Sequence, residues 1–132
     1  MRALREIYIS TFEYVIKHAK PVGIMTSYNL VNGVHASESS FLINDILRCE
    51  WGFKGLVMTD WIVTGQSFIK SAKNPTTHAY KNILGGNNLN MPGGRKDLKD
   101  LRKAYNKGLI TKEDLINNSN IIYDTIKRLK SE

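Results

Sequence analysis

The chain is 132 residues long with 42% hydrophobic and 23% charged residues, enough for one domain with a modest core and without the roughly 18 consecutive apolar residues that span a bilayer. Its formal charge of +7 comes mostly from lysines dispersed among Asp and Glu, the pattern of solvated helix faces and not of a nucleic-acid-binding stripe with interleaved aromatics. One cysteine, Cys49, excludes an internal disulfide and a cysteine-based metal cluster.

The start of the chain is basic, but Glu6, Glu13 and Lys17 interrupt any signal-peptide-like apolar run, so a cytoplasmic location is the default expectation. Leu4, Ile7, Tyr8, Phe12, Val15 and Ile16 mark the apolar face of a helix over 3–19, which Lys20-Pro21 ends because the residue before proline avoids the helical region. Residues 22–28 are short, apolar and β-rich and predict a buried strand. Asn32-Gly33 marks a turn within a loop over 29–37. Ser39 or Ser37 is placed to cap a helix running to Cys49, with Phe41, Leu42, Ile46 and Leu47 facing inward. Cys49 itself is expected to act as a small half-buried hydrophobe. A compact linker over 50–55 leads to a second strand over 56–59.

Beyond it, a helix over 77–84 is stopped by Gly85-Gly86, a short strand covers 89–91, and a basic helix runs over 96–107. Thr111-Lys112-Glu113-Asp114 has the form of an N-terminal cap for a last helix to Leu129, with Leu115, Ile122, Ile126 and Leu129 apolar. Strands alternating with helices imply an α/β fold with parallel pairing. Three strands do not close a barrel, so the chain reads as part of a larger α/β architecture.

In such folds active sites gather at the C-terminal ends of the strands. Those ends carry Ser27-Tyr28-Asn29, Thr59-Asp60-Trp61 and Met91-Pro92-Gly93. An acid beside a tryptophan, with a tyrosine from the neighbouring strand, suits a sugar: the indole stacks on a pyranose ring, the phenol steadies the carboxylate, and the carboxylate attacks or stabilises an oxocarbenium-like carbon. An aspartate after a strand is, however, often only the N-cap of the next helix, and the residues alone leave both readings open. His35 lies in the loop after the tyrosine strand and can reach the same pocket. His18 and His78 sit at helix ends, and the three histidines have no metal-ligand spacing among themselves.

The segments MTSYNLVNGVHASES, LRCEWGFKGLVMTDW and NLNMPG, in that order, resemble the later half of the catalytic barrel of glycoside hydrolase family 3, in its β-glucosidase-like branch. The resemblance runs over nearly the whole chain and is least typical from Trp61 to His78. It implies a partial (β/α)8 barrel of about three β/α units and a retaining hydrolase of terminal β-linked sugars, with no cofactor. By the same resemblance Asp60 is the nucleophile, Trp61 a wall of the sugar subsite, Tyr28 its contact, and Met25 part of the pocket lining. Where the family commonly has an aspartate before Leu-x-Met-Pro-Gly, this chain has Asn88, a neutral amide in place of a charge.

The family's Lys-His substrate motif, its earlier sugar-binding residues and the α/β-sandwich domain that usually supplies the acid/base have no counterpart here. A retaining mechanism needs two carboxyl groups about 5–5.5 Å apart, and Glu38 is the single local candidate for the second. The expected partners are therefore a β-glycoside or oligosaccharide and the absent barrel half and sandwich domain, with neither nucleic acid nor membrane. The isolated chain is expected to be inactive. A non-catalytic carbohydrate-binding or interaction module derived from that barrel is the alternative.

Overall fold

The computed structural model describes residues 2–65 and 76–131. The first helical segment is not continuous. A π-wound turn over Leu4–Tyr8 gives way at Ile9, whose N–H bonds the Leu4 carbonyl at 3.0 Å, to α1 over Ser10–Ala19. Lys20, left-handed at φ 47°, ends α1 before Pro21, as the sequence predicts.

Strand β1 covers only Gly23–Met25 and stops short of the predicted Tyr28. Thr26 still bonds the Met58 carbonyl at 2.8 Å, but the Ser27 hydroxyl then turns to the Asn29 side chain. Such local side-chain bonding competes with a ladder. The loop predicted over 29–37 holds a hairpin of its own, β2 (Leu30–Val31) against β3 (Val34–His35). Asn32 and Gly33, at φ 50° and 82°, supply the two positive-φ positions such a tight hairpin needs.

A 3-10 turn over Ala36–Glu38 leads into a π-wound helix over Phe41–Glu50, where Ser39 Oγ accepts the Leu42 N–H at 3.3 Å. Ile43, Ile46 and Leu47 are its buried residues. Phe41 and Leu42, expected inward, are only half-buried, and Ile43 is enclosed beside Ile46 and Leu47. Cys49 is exposed, not half-buried, on the solvent side of the same helix.

Strand β4 spans Leu56–Trp61, two residues beyond its predicted end. Then come α2 (Ala79–Gly85), β5 (Leu89–Met91), α3 (Arg95–Asn106) and α4 (Lys112–Ser131). Gly86, at φ 104°, forms the left-handed C-cap of α2 where Gly85-Gly86 predicts a stop. At the start of α4, Thr111 and Asp114 form a reciprocal cap: Thr111 Oγ1 accepts the Asp114 N–H at 3.1 Å and the Asp114 carboxylate accepts the Thr111 N–H at 2.8 Å. The Thr111 hydroxyl and N–H bonds hold the Asp114 pKa below the usual carboxylate value.

The main sheet is parallel in the order β1-β4-β5, so the α/β class expected from the sequence is present. Its helix side carries the apolar core: Val57 meets Ile16, Ile43, Leu47 and Phe53, with Ile24 and Trp51 packed against them. The close start of β1 and β4 requires Gly55, where a Cβ would collide with the Val22 carbonyl.

Side chains complete what the β4–β5 main chains leave open. Asn88 Oδ1 accepts the Val57 N–H and an Arg48 guanidinium N–H, both at 2.9 Å, while its amide donates to Asn118 at 2.8 Å. Desolvation lowers the Arg48 pKa, and its Nε is buried without a hydrogen-bond partner. Farther along, the register slips: Met58 pairs with Leu89 but Trp61 with Met91, so β4 has one residue more than β5 between the two pairs. That extra residue is a β-bulge at Thr59-Asp60.

Other apolar faces are uncovered among the described residues. Ile7, Tyr8, Phe12 and Val15, on the apolar face expected of the first helix, are exposed, as are Ile126 and Leu129 of α4. No described helix is long and apolar enough to cross a membrane.

Candidate active site

Burial alternates along β4. Val57 and Thr59 are fully enclosed on the helix side, while Leu56, Met58 and Asp60 are partly open. The side-chain period of two therefore puts Asp60 on the side away from the core. It stands within the strand and not after it, and Trp61 and a turn over 62–65 follow directly. The N-cap reading of Asp60 is thereby corrected: its Oδ1 accepts the N–H of Trp61, a strand residue, at 2.6 Å.

Tyr28 comes to the same place from β1. Its hydroxyl donates to the Trp61 carbonyl at 2.7 Å. Desolvation, then the hydrogen bond to the Asp60 side chain and its negative charge, push the phenol's pKa up. Tyr28, Asp60 and Trp61 thus form one cluster at the strand ends, with Tyr28 and Trp61 about half exposed. Met25, the last residue of β1, pairs in register with Met58 and so shares the side of the sheet that Asp60 occupies. It also lines an apolar cavity of about 150 Å³ with Phe12, Ile24 and Trp51.

The backbone here is strained. Ile62 adopts φ 60°, a left-handed conformation that a β-branched side chain resists. It is held by its N–H bond to the Met91 carbonyl at 2.8 Å. Such strain persists only where surrounding contacts over-determine it, and it concentrates at functional sites.

The other candidates lie elsewhere. Glu38, the candidate for a second carboxyl, directs one oxygen to the His78 N–H at 3.2 Å and the other to Lys81 at 3.8 Å. Both oxygens thus serve the start of α2. His35 is buried, and its Nδ1 accepts the Ser37 N–H at 3.2 Å; burial lowers its pKa. It is a neutral hairpin residue and not part of the Asp60 cluster. His18 stacks on Tyr14, and His78 pairs with Asp100 at 3.4 Å. Glu6, Glu13 and Glu50 are engaged by Arg2, Lys17 and Arg5. Phe53 is a core residue on the helix side, away from Asp60. Among the described residues no group of three or more His, Cys, Asp or Glu can hold a metal ion.

Sequence reasoning passed over Thr59 and Ile62. The strand-end motif contains Thr59, but a buried threonine in a strand gives no sign of what its hydroxyl bonds. A positive φ at isoleucine has no sequence signal at all.

Known proteins share this arrangement of elements. The model of the glycosyl hydrolase family 3 N terminal domain matches residues 1–123. Beta-glucosidase B of Emericella nidulans is 48% identical over 92 residues, which are 70% of this chain and 10% of that protein. An exo-alpha-(1->6)-L-arabinopyranosidase of Bifidobacterium longum is 38% identical over 130 residues, covering 98% of this chain and 16% of that protein. The structure of beta-glucosidase 3B from Thermotoga neapolitana superposes with TM-score 0.81 at 32% identity, over 95% of this chain and 17% of that one. The Bifidobacterium adolescentis GH3 beta-glucosidase gives TM-score 0.79 at 35% identity, over 99% and 18%. The chain thus spans only a small part of the length of the relatives it matches. Family match, relatives and superpositions agree, and the chain belongs to glycosyl hydrolase family 3.

Proposed function

We propose that this chain is the nucleophile-bearing part of a retaining β-glucosidase-like hydrolase, and that β1, β4 and β5 are an arc of a (β/α)8 barrel. The observation that carries the reading is the cluster of Tyr28, Asp60 and Trp61 at the strand ends, with Asp60 on the side of the sheet away from the core. An ionised Asp60 attacks the anomeric carbon and forms a glycosyl ester as the leaving oxygen departs; water then releases the sugar with net retention. Trp61 offers its exposed face to the pyranose ring, and Tyr28 donates to the strand end while its phenol lies against the carboxylate. Met25, in register with Met58 on the Asp60 side of the sheet, adds apolar surface near the sugar.

Protonation of the leaving oxygen needs a second carboxyl group. Glu38 is committed to α2, so the acid/base comes from outside this chain, along with the remaining sugar-binding groups and the rest of the barrel. The isolated chain accordingly does not turn over glycosides. The names of the relatives, beta-glucosidase and exo-alpha-(1->6)-L-arabinopyranosidase, support a terminal pyranoside as substrate.

The test is covalent trapping. A 2-deoxy-2-fluoro-β-glucoside with a leaving group good enough to need no acid is incubated with the chain and the rest of a family 3 β-glucosidase added in trans. The expected product is an ester on the peptide that contains Asp60. A label elsewhere, or none, overturns the nucleophile assignment. The engagement of both Glu38 oxygens also favours a second reading, a sugar-binding module without chemistry, and reversible binding with no ester at Asp60 identifies it.

A further inference from the structure

The bulge that holds Asp60 is tied to β5 by a side chain. Thr59 Oγ1 accepts the Met91 N–H at 2.9 Å, and Thr59 has no exposure to solvent. Just beyond, the Ile62 N–H bonds the Met91 carbonyl at 2.8 Å, so Met91 grips β4 on both sides of Asp60 and Trp61. The Tyr28 hydroxyl holds the Trp61 carbonyl from the β1 side. Of these three hydrogen bonds around Asp60, only the one that Thr59 accepts lies on its N-terminal side, where the Thr26 N–H also holds the Met58 carbonyl. A bulge re-aims the side chain it carries, and one left untied can relax toward regular pairing. Relaxation by one residue would turn Asp60 toward the opposite face, because side chains alternate along a strand.

We propose that Thr59 is a positioning residue: by accepting the Met91 N–H its hydroxyl fixes the bulge and so the direction of the Asp60 carboxylate. The proposal rests on the reading of Asp60 as the nucleophile. It assigns Thr59 no contact with sugar. The hydroxyl acts through the β4–β5 joint, and the effect falls on the chemical step and not on binding.

Two measurements on the full chain test this. The first is amide hydrogen exchange, with no glycoside present, of the Thr59→Val and Thr59→Ser variants. Valine keeps the shape and removes the acceptor; serine keeps the acceptor. Thr59→Val is expected to lower protection of the Met91 and Ile62 amides, which carry the two β4–β5 bonds around Asp60, by about tenfold, the size of one lost hydrogen bond, and Thr59→Ser to keep both. The second is the rate of trapping by the 2-fluoro glycoside, with the rest of a family 3 enzyme in trans. Here Thr59→Val is expected to lower the limiting inactivation rate by roughly 10- to 100-fold, as misplacement of a reacting group does, with the inhibitor's binding constant within about twofold. Thr59→Ser restores the rate.

A Thr59→Val chain that keeps Ile62 protected and traps at the unsubstituted rate overturns the proposal. If Thr59→Val does not fold, Thr59→Ser decides: loss of Ile62 protection in that variant also overturns it. Asp60→Asn separates the two ideas. If Asp60→Asn still traps, the nucleophile reading fails, and the exchange data alone show whether Thr59 fixes the bulge.

Discussion

Val57 and Thr59 have no exposure to solvent, whereas Trp61, on the same strand, is 53% exposed and Met25, beside Met58, is 52% exposed. The helix side of the sheet is closed by Ile16, Ile43, Leu47 and Phe53 and by a set of buried amides and hydroxyls. The other side carries Asp60 and apolar side chains that stay uncovered among the described residues. Packing is therefore concentrated on one face and the candidate site on the other, with β4 belonging to both. The alternation of side chains along a single strand is enough to keep these demands apart.

Substitutions on the two faces should give different readouts. The largest effect is expected from Asp60→Asn, which should lower trapping on the order of 10³-fold or more, as loss of a reacting group does, while leaving the unfolding midpoint nearly unchanged. A clear fall in stability would instead make Asp60 a structural residue. On the core side, Ile43→Ala should cost about 2–5 kcal/mol, because that side chain is almost fully enclosed. Met25→Ala on the open side should cost well under half of that. Urea denaturation of the two variants compares the faces directly, and equal costs would mean that the open side is packed in solution.

The joint between the faces comes next. Asn88→Ala removes the acceptor for the Val57 N–H and for Arg48 and should destabilise by about 1–3 kcal/mol, read in the same denaturation. A variant as stable as the parent would show that water replaces the amide. The smallest effect is a pH dependence. Burial lowers the His35 pKa in the folded chain, so below about pH 6.5 the unfolded chain binds the proton more readily. Stability is then full above that pH and declines as pH falls toward the lower folded value, by no more than about 1.4 kcal/mol per pH unit. His35→Asn should flatten this slope, measured as the unfolding midpoint between pH 7 and 5. An unchanged slope assigns it to another group.

Much of the fold was legible because its signals are local. Lys20-Pro21, Gly85-Gly86 and the Thr111–Asp114 cap each act within a few residues and mark real boundaries. Of the apolar face read for the helix over 3–19, only Ile16 is buried, because periodicity names a face and not what covers it. The hairpin at Asn32-Gly33 read as a loop since its strands are only two residues each. At the site, the strand-end residues Tyr28, Asp60 and Trp61 could be read from motif and order. The bulge, the left-handed Ile62 and the bond from Met91 to Thr59 could not, for each depends on how β5 is set against β4. The role of Asn88 was hidden in the same way. Its departure from the family aspartate was visible, but not that its amide faces Arg48, Asn118 and the Val57 N–H at once.

That amide has a wider consequence. The buried polar groups that join the elements are nearly all uncharged: Thr26 with Ser37 and Asn87, Asn82 with Thr77 and Asn90, and Asn88 with Asn118. Hydrogen bonds between neutral groups are not attenuated by dissolved ions as surface ion pairs are. Added salt should therefore loosen the rim, where Arg5 meets Glu50 and Lys17 meets Glu13, and leave the scaffold behind Asp60 as it was.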